Sequence, residues 1–170
     1  MKTQSKTQTI TVFAIFLGYV LIAGLIERMI PLDFVAPGIK LGLSNVIVLI
    51  LIYFYKFPKL LLFVLLKCVL TALVVGSFVS FIYSVCGSLL SFIVMWALVK
   101  SCGEKISPIG VSIAGAVFHN IGQILTAAIV IGSVNMFLYL PILLIAGIIM
   151  GCAVGVAVKC ALPYTRMLRM

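Results

Sequence analysis

The chain has 170 residues, of which 65% are hydrophobic and 9% charged; its mean hydropathy of +1.39 excludes a water-soluble domain and marks an integral membrane protein. Twelve Lys and Arg stand against three acids, Glu27, Asp33 and Glu104, and give a net charge of +9. The basic residues fall between apolar runs, as in cytoplasmic loops, and no nucleic-acid-reading motif accompanies them.

The apolar runs predict six transmembrane helices in a single domain, residues 1–170: Ile10 to Ile26, Leu41 to Tyr55, Leu60 to Val75, Phe81 to Val99, Ile109 to Ile131 and Phe137 to Val158. The start "MKTQSKTQTITVFAIFLGYVLIAGL" is basic and then apolar, but it has no clear A-x-A site and five more runs follow. It is therefore expected to be a retained first helix and not a cleaved signal peptide. Ala14 and Gly18 form a small-x-x-x-small pair on that helix, a surface suited to close helix approach.

Pro31 and Pro37-Gly38 end the first helix region. The segment "PGIKLGLSNV", Pro37 to Val46, carries Lys40, Ser44 and Asn45 and reads as a mobile, basic rim at the outer entrance to helix 2, with Arg28 nearby. The second and third runs are short for a bilayer, so they are expected either to extend into their loops or to lie where the bilayer is thin. Pro58 separates them, and Lys67 stands midway along helix 3, where an ionisable residue is costly and a functional candidate.

Helix 4 has Ser80, Ser84, Gly87 or Ser88, and Ser91 at helical spacing beside Tyr83, a stripe of small and hydroxyl side chains. Packing accounts for most of that stripe, leaving Tyr83 and Ser84 as candidates near its outer end. Helix 5 opens at Pro108 and carries "FHNIGQ" at its middle. His119 and Gln123 are four residues apart and Asn120 and Gln123 three, which predicts one polar patch on adjoining turns. Pro141 falls in the first turn of helix 6, where the missing amide costs little. The tail "LPYTRMLRM" is expected to rest on anionic head groups.

With a cytoplasmic amino terminus, the inner side carries Lys2, Lys6, Lys56, Lys59, Lys100, Lys105, Lys159, Arg166 and Arg169, and the outer loops only Arg28 and Lys40. Both termini are therefore expected to be cytoplasmic. No acid falls within any of the six runs. Five cysteines, odd in number and without C-x-x-C spacing, read as small apolar residues. No acidic diphosphate-magnesium cluster, Walker loop, H-E-x-x-H or nucleophile triad is present, so no catalysis, metal or cofactor is expected.

The segments "GIKLGLSNV", "FIYSVCGSLLS" and "GAVFHNIGQ" resemble the Gx transporter family, also named heptaprenyl diphosphate synthase component I, over roughly Pro37 to Val158. A basic residue in helix 3 fits the family pattern and is met by Lys67; alanine is expected where this chain has Ser44. The resemblance implies kinship with the substrate-binding S components of energy-coupling factor (ECF) transporters. These are six-helix proteins of the bacterial plasma membrane that capture vitamins on the outer side and work with a transmembrane coupling protein and two ATPases. It also implies that small residues on helix 1, here Ala14 and Gly18, meet the coupling protein. The synthase name implies a different role, a non-catalytic accessory subunit in making the polyprenyl tail of menaquinone.

The combined expectation is an all-α, compact six-helix membrane bundle that binds a small anionic ligand. The candidate ligand residues are Lys40, Asn45, Lys67, Tyr83, Ser84, His119, Asn120 and Gln123, beneath an outer loop from Arg28 to Lys40 acting as a gate.

Overall fold

A computed structural model describes residues 6–29, 42–75 and 78–167. These residues form a helical bundle with no strands among them: α1 Lys6–Met29, α2 Leu43–Ile52, α3 Phe57–Val75, α4 Phe78–Cys102, α5 Pro108–Ile131 and α6 Leu140–Met167. Five of these are long and apolar enough to cross a membrane, which makes the chain a multi-pass membrane protein. Of the predicted gate, Arg28 to Lys40, residues 30–40 lie outside the described residues, Lys40 included.

α2 is the exception. The predicted run from Leu41 to Tyr55 yields a helix of 10 residues, about 15 Å at 1.5 Å per residue, half of a hydrocarbon core of about 30 Å. Its second half, Val48 to Ile52, is buried. The helix is apolar all round because other helices surround it: it packs against α1, α3, α4 and α6. Gly42, with φ 76°, supplies the left-handed turn that starts it. α3, by contrast, gains a turn at its amino end, as its short apolar run required.

The remaining boundaries follow local chemistry. Ser107 caps α5, its hydroxyl accepting from the Gly110 amide at 3.2 Å, with Pro108 at the first helical position. Gly132, with φ 69°, ends it. A 3₁₀ segment, Val134–Tyr139, takes up the start predicted for helix 6, which begins at Leu140 and runs through Pro163 to Met167.

Glycine joins α4, α5 and α6. A Cβ on Gly122 would stand 2.9 Å from the Gly87 Cα, and one on Gly115 would stand 2.5 Å from the Met95 Sδ. On α6, Gly147, Gly151 and Gly155 recur every four residues against α5; a Cβ on the last two would meet the Cα atoms of Ile113 and Ile109 at 2.8 and 2.5 Å. Bulky side chains join the rest. Phe13 of α1 meets Tyr55 and Phe63 edge-on at 5.0 and 5.2 Å. Phe57 of α3 stacks on Phe92 of α4 at 5.2 Å and meets Trp96 edge-on at 4.9 Å.

Candidate functional site

Lys67 lies near the middle of α3 and is 5% exposed. Its ammonium donates to the Asn45 side-chain oxygen at 3.0 Å. Asn45 stands in the first turn of α2, where its own amide donates to the Gly42 carbonyl at 2.8 Å. The start of α2 at Leu43 thus sets Asn45, in its first turn, against the mid-helix lysine of α3.

Glu27 reaches the same turn. The predicted first helix stops at Ile26, whereas α1 continues to Met29 and its apolar span, Thr9–Glu27, includes the acid. The expectation that no acid lies within a span is therefore corrected. The Glu27 Oε1 accepts from the Leu43 backbone amide at 2.5 Å, supplying the acceptor that Gly42 lacks.

The "FHNIGQ" side chains divide between two neighbours. His119 and Gln123 pack on α4 where Gly87 leaves room: a Cβ there would be 3.1 Å from the His119 Cε1 and 2.9 Å from the Gln123 Cγ. Asn120, one residue from His119 and so turned about 100° from it, faces α6. Its Nδ2 donates to the Leu143 carbonyl at 2.6 Å. Histidine and glutamine therefore share the α4 seam, and Asn120 ties α5 to α6.

On α4, the Ser84 hydroxyl lies 3.8 Å from the Cys68 Sγ of α3, and that thiol lies 3.6 Å from the Ser84 carbonyl. Tyr83 is half-buried beside it. The buried hydroxyls lie deeper, at Ser88 and Ser91, 5% and 2% exposed; neither oxygen has a hydrogen-bond partner among the described residues. Their register with Ser84 is visible in the sequence, but their burial is not. Among the described residues, no group of three His, Cys, Asp or Glu could hold a metal ion.

On α1, Ala14 is exposed and a Cβ on Gly18 would meet no atom within 4 Å. The candidate docking pair thus lies on the outside of the bundle, in a stripe with Ile10, Ile15, Tyr19 and Ile22.

With these features in place, the comparison with protein families is decisive: residues 16–161 match the model of heptaprenyl diphosphate synthase component I. The chain belongs to this family. No curated protein and no solved structure matches it. The matched range takes in α2 to α5 and most of α1 and α6, and with them Lys67, Asn45 and the whole α4–α5 seam.

Proposed function

We propose that this membrane protein is the substrate-binding subunit of an ECF-type transporter, taking a small anionic ligand from the outer side. The observation that carries the reading is the buried Lys67, held by Asn45 at the start of a helix too short to span the bilayer. A cation at that depth costs about 2.5–3.5 kcal/mol on insertion scales, and an anionic ligand offsets that cost. His119 and Gln123, packed beside Gly87, supply neutral hydrogen-bonding groups. Tyr83, Ser84, Asn120 and Lys40 complete the proposed ligand set.

In this reading the open α1 face around Ala14 and Gly18 receives a transmembrane coupling protein, which in turn engages ATPase subunits; the chain itself is not an enzyme. Its place is the cell membrane, with the basic end inward. Phe57 meeting Trp96, and Lys59 donating to Thr9 at 3.4 Å, bring the starts of α1 and α3 and the end of α4 together at the end that bears Lys56, Lys59, Lys100 and Lys105.

The test is to purify the protein, identify small molecules that co-purify, and repeat with folded Lys67→Met and His119→Ala variants. Loss of one anionic metabolite from both variants is expected. Unchanged content in both removes these residues from the site. The family description favours one other reading, a non-catalytic membrane subunit of polyprenyl diphosphate synthesis; its signature is a co-purified synthase with no bound metabolite.

A further inference from the structure

Aromatic and lysine side chains meet where α3 begins. The turn between α2 and α3 carries Tyr53, Phe54 and Tyr55 and then Lys56. Phe57, the first residue of α3, meets Trp96 of α4 edge-on at 4.9 Å. Tryptophan and tyrosine collect at the headgroup level of a bilayer, so the start of α3 lies at that level.

α4 does not stop there. It runs on from Trp96 to Cys102, about 9 Å at 1.5 Å per residue, and so overhangs the start of α3. Lys100 follows Trp96 by four residues and shares its face, the face that meets Phe57. The result is a step with Lys56 at the start of α3 and Lys100 on the overhanging wall of α4, both exposed. Lys59, also exposed, turns its ammonium to the Thr9 hydroxyl of α1 at 3.4 Å and extends the basic surface to that helix. Glu104 follows in the turn Gly103–Lys105 together with Lys105, and the end as a whole stays positive.

We propose that this step binds an anionic phospholipid of the inner leaflet, its phosphate between Lys56 and Lys100 and its acyl chains along the α3–α4 seam, where Leu65 and Ile93 are exposed. Basic pockets between helices on the cytoplasmic side suit such headgroups, because the inner leaflet is the anionic one and the ammoniums stand level with its phosphates. The site depends only on the basic end facing inward and is independent of the transporter reading. Lys159 supplies a contrast: it is exposed too, but on α6, which packs on α2 and α5.

The test uses the purified full chain in detergent with added phosphatidylglycerol or phosphatidylcholine, bound lipid being counted by native mass spectrometry. Phosphatidylglycerol is expected to bind in preference. Lys56→Gln and Lys100→Gln are each expected to weaken its binding about fivefold, the worth of one lysine near an anionic surface. Lys100→Arg keeps the charge and is expected to keep the binding, and Lys159→Gln is expected to leave it unchanged. Equal weakening by Lys159→Gln overturns the site, because diffuse charge would then account for the lipid. Equal binding of the two lipids overturns it as well, as does undiminished phosphatidylglycerol binding when Lys56→Gln and Lys100→Gln are combined. Should Lys56→Gln fail to accumulate, Lys100→Gln against Lys100→Arg decides by itself: the expected result is weakened binding in the first and retained binding in the second, and equal binding in both overturns the proposal.

Discussion

Ser91 is buried with its hydroxyl unmet among the described residues, whereas Thr126 one helix away turns its hydroxyl back to the Gly122 carbonyl at 2.7 Å. The second arrangement is the ordinary one for a helical hydroxyl. An unmet buried hydroxyl costs about 1–3 kcal/mol, so Ser91→Ala is expected to leave the thermal midpoint unchanged or raise it. A clear fall in detergent would mean that the hydroxyl has a partner in the working protein. The serine register on α4 is legible in the sequence, because spacing shows a face. Which hydroxyl finds a partner is not, because that depends on what the opposite helix offers: Ser84 meets a thiol, while the Ser91 Oγ lies only 3.2 Å from where a Cβ on Gly115 would stand.

At the scale of the helix, two glycines of the same sequence type behave oppositely. Gly122 brings α5 against the α4 backbone, and any added Cβ meets the Gly87 Cα at 2.9 Å. Backbone cannot swing aside, so Gly122→Ala is expected to cost about 1–3 kcal/mol, read as a lowered midpoint. Gly18 has open space around its α1 position. Gly18→Leu is expected to leave the midpoint close to the original while abolishing co-purification with the proposed coupling protein; retained co-purification would remove this face from the docking surface. The difference lies in tertiary packing, beyond what either local sequence encodes. Local sequence does encode the breaks at Gly42, Pro108 and Gly132. It does not encode the length of α2, since an apolar run reads alike whether lipid or other helices surround it. The Gly147, Gly151 and Gly155 spacing on α6 is legible, and it marks the face that meets α5. Asn120 departs from the expected single patch because of what its neighbour offers: it lies between the α4-facing and α6-facing sides of α5, and the Leu143 carbonyl of α6 takes its amide, whereas His119 and Gln123 pack beside Gly87 of α4.

For the molecule as a whole, the mode of joining changes along the chain. α4, α5 and α6 meet backbone to backbone through glycine, whereas α1, α2 and α3 meet through Phe13, Tyr55, Phe63 and the aliphatic surface of α2. Glycine contacts leave no side chain to change rotamer, while aromatic contacts can slide or tilt. Six apolar segments and a bundle were readable because a bilayer forces every crossing segment to declare itself by length and hydropathy. Of the candidate site, the lysine, the histidine and the amides are legible in the sequence; Glu27, one residue past its apolar run, carries no such signal. The joint between the two modes of packing is the α3–α4 seam, where Phe57 lies against Phe92 and Trp96. Trp96 is the chain's one tryptophan, so the unlabelled protein carries a fluorophore at that joint, and its emission is an optical gauge of whether α3 shifts against α4.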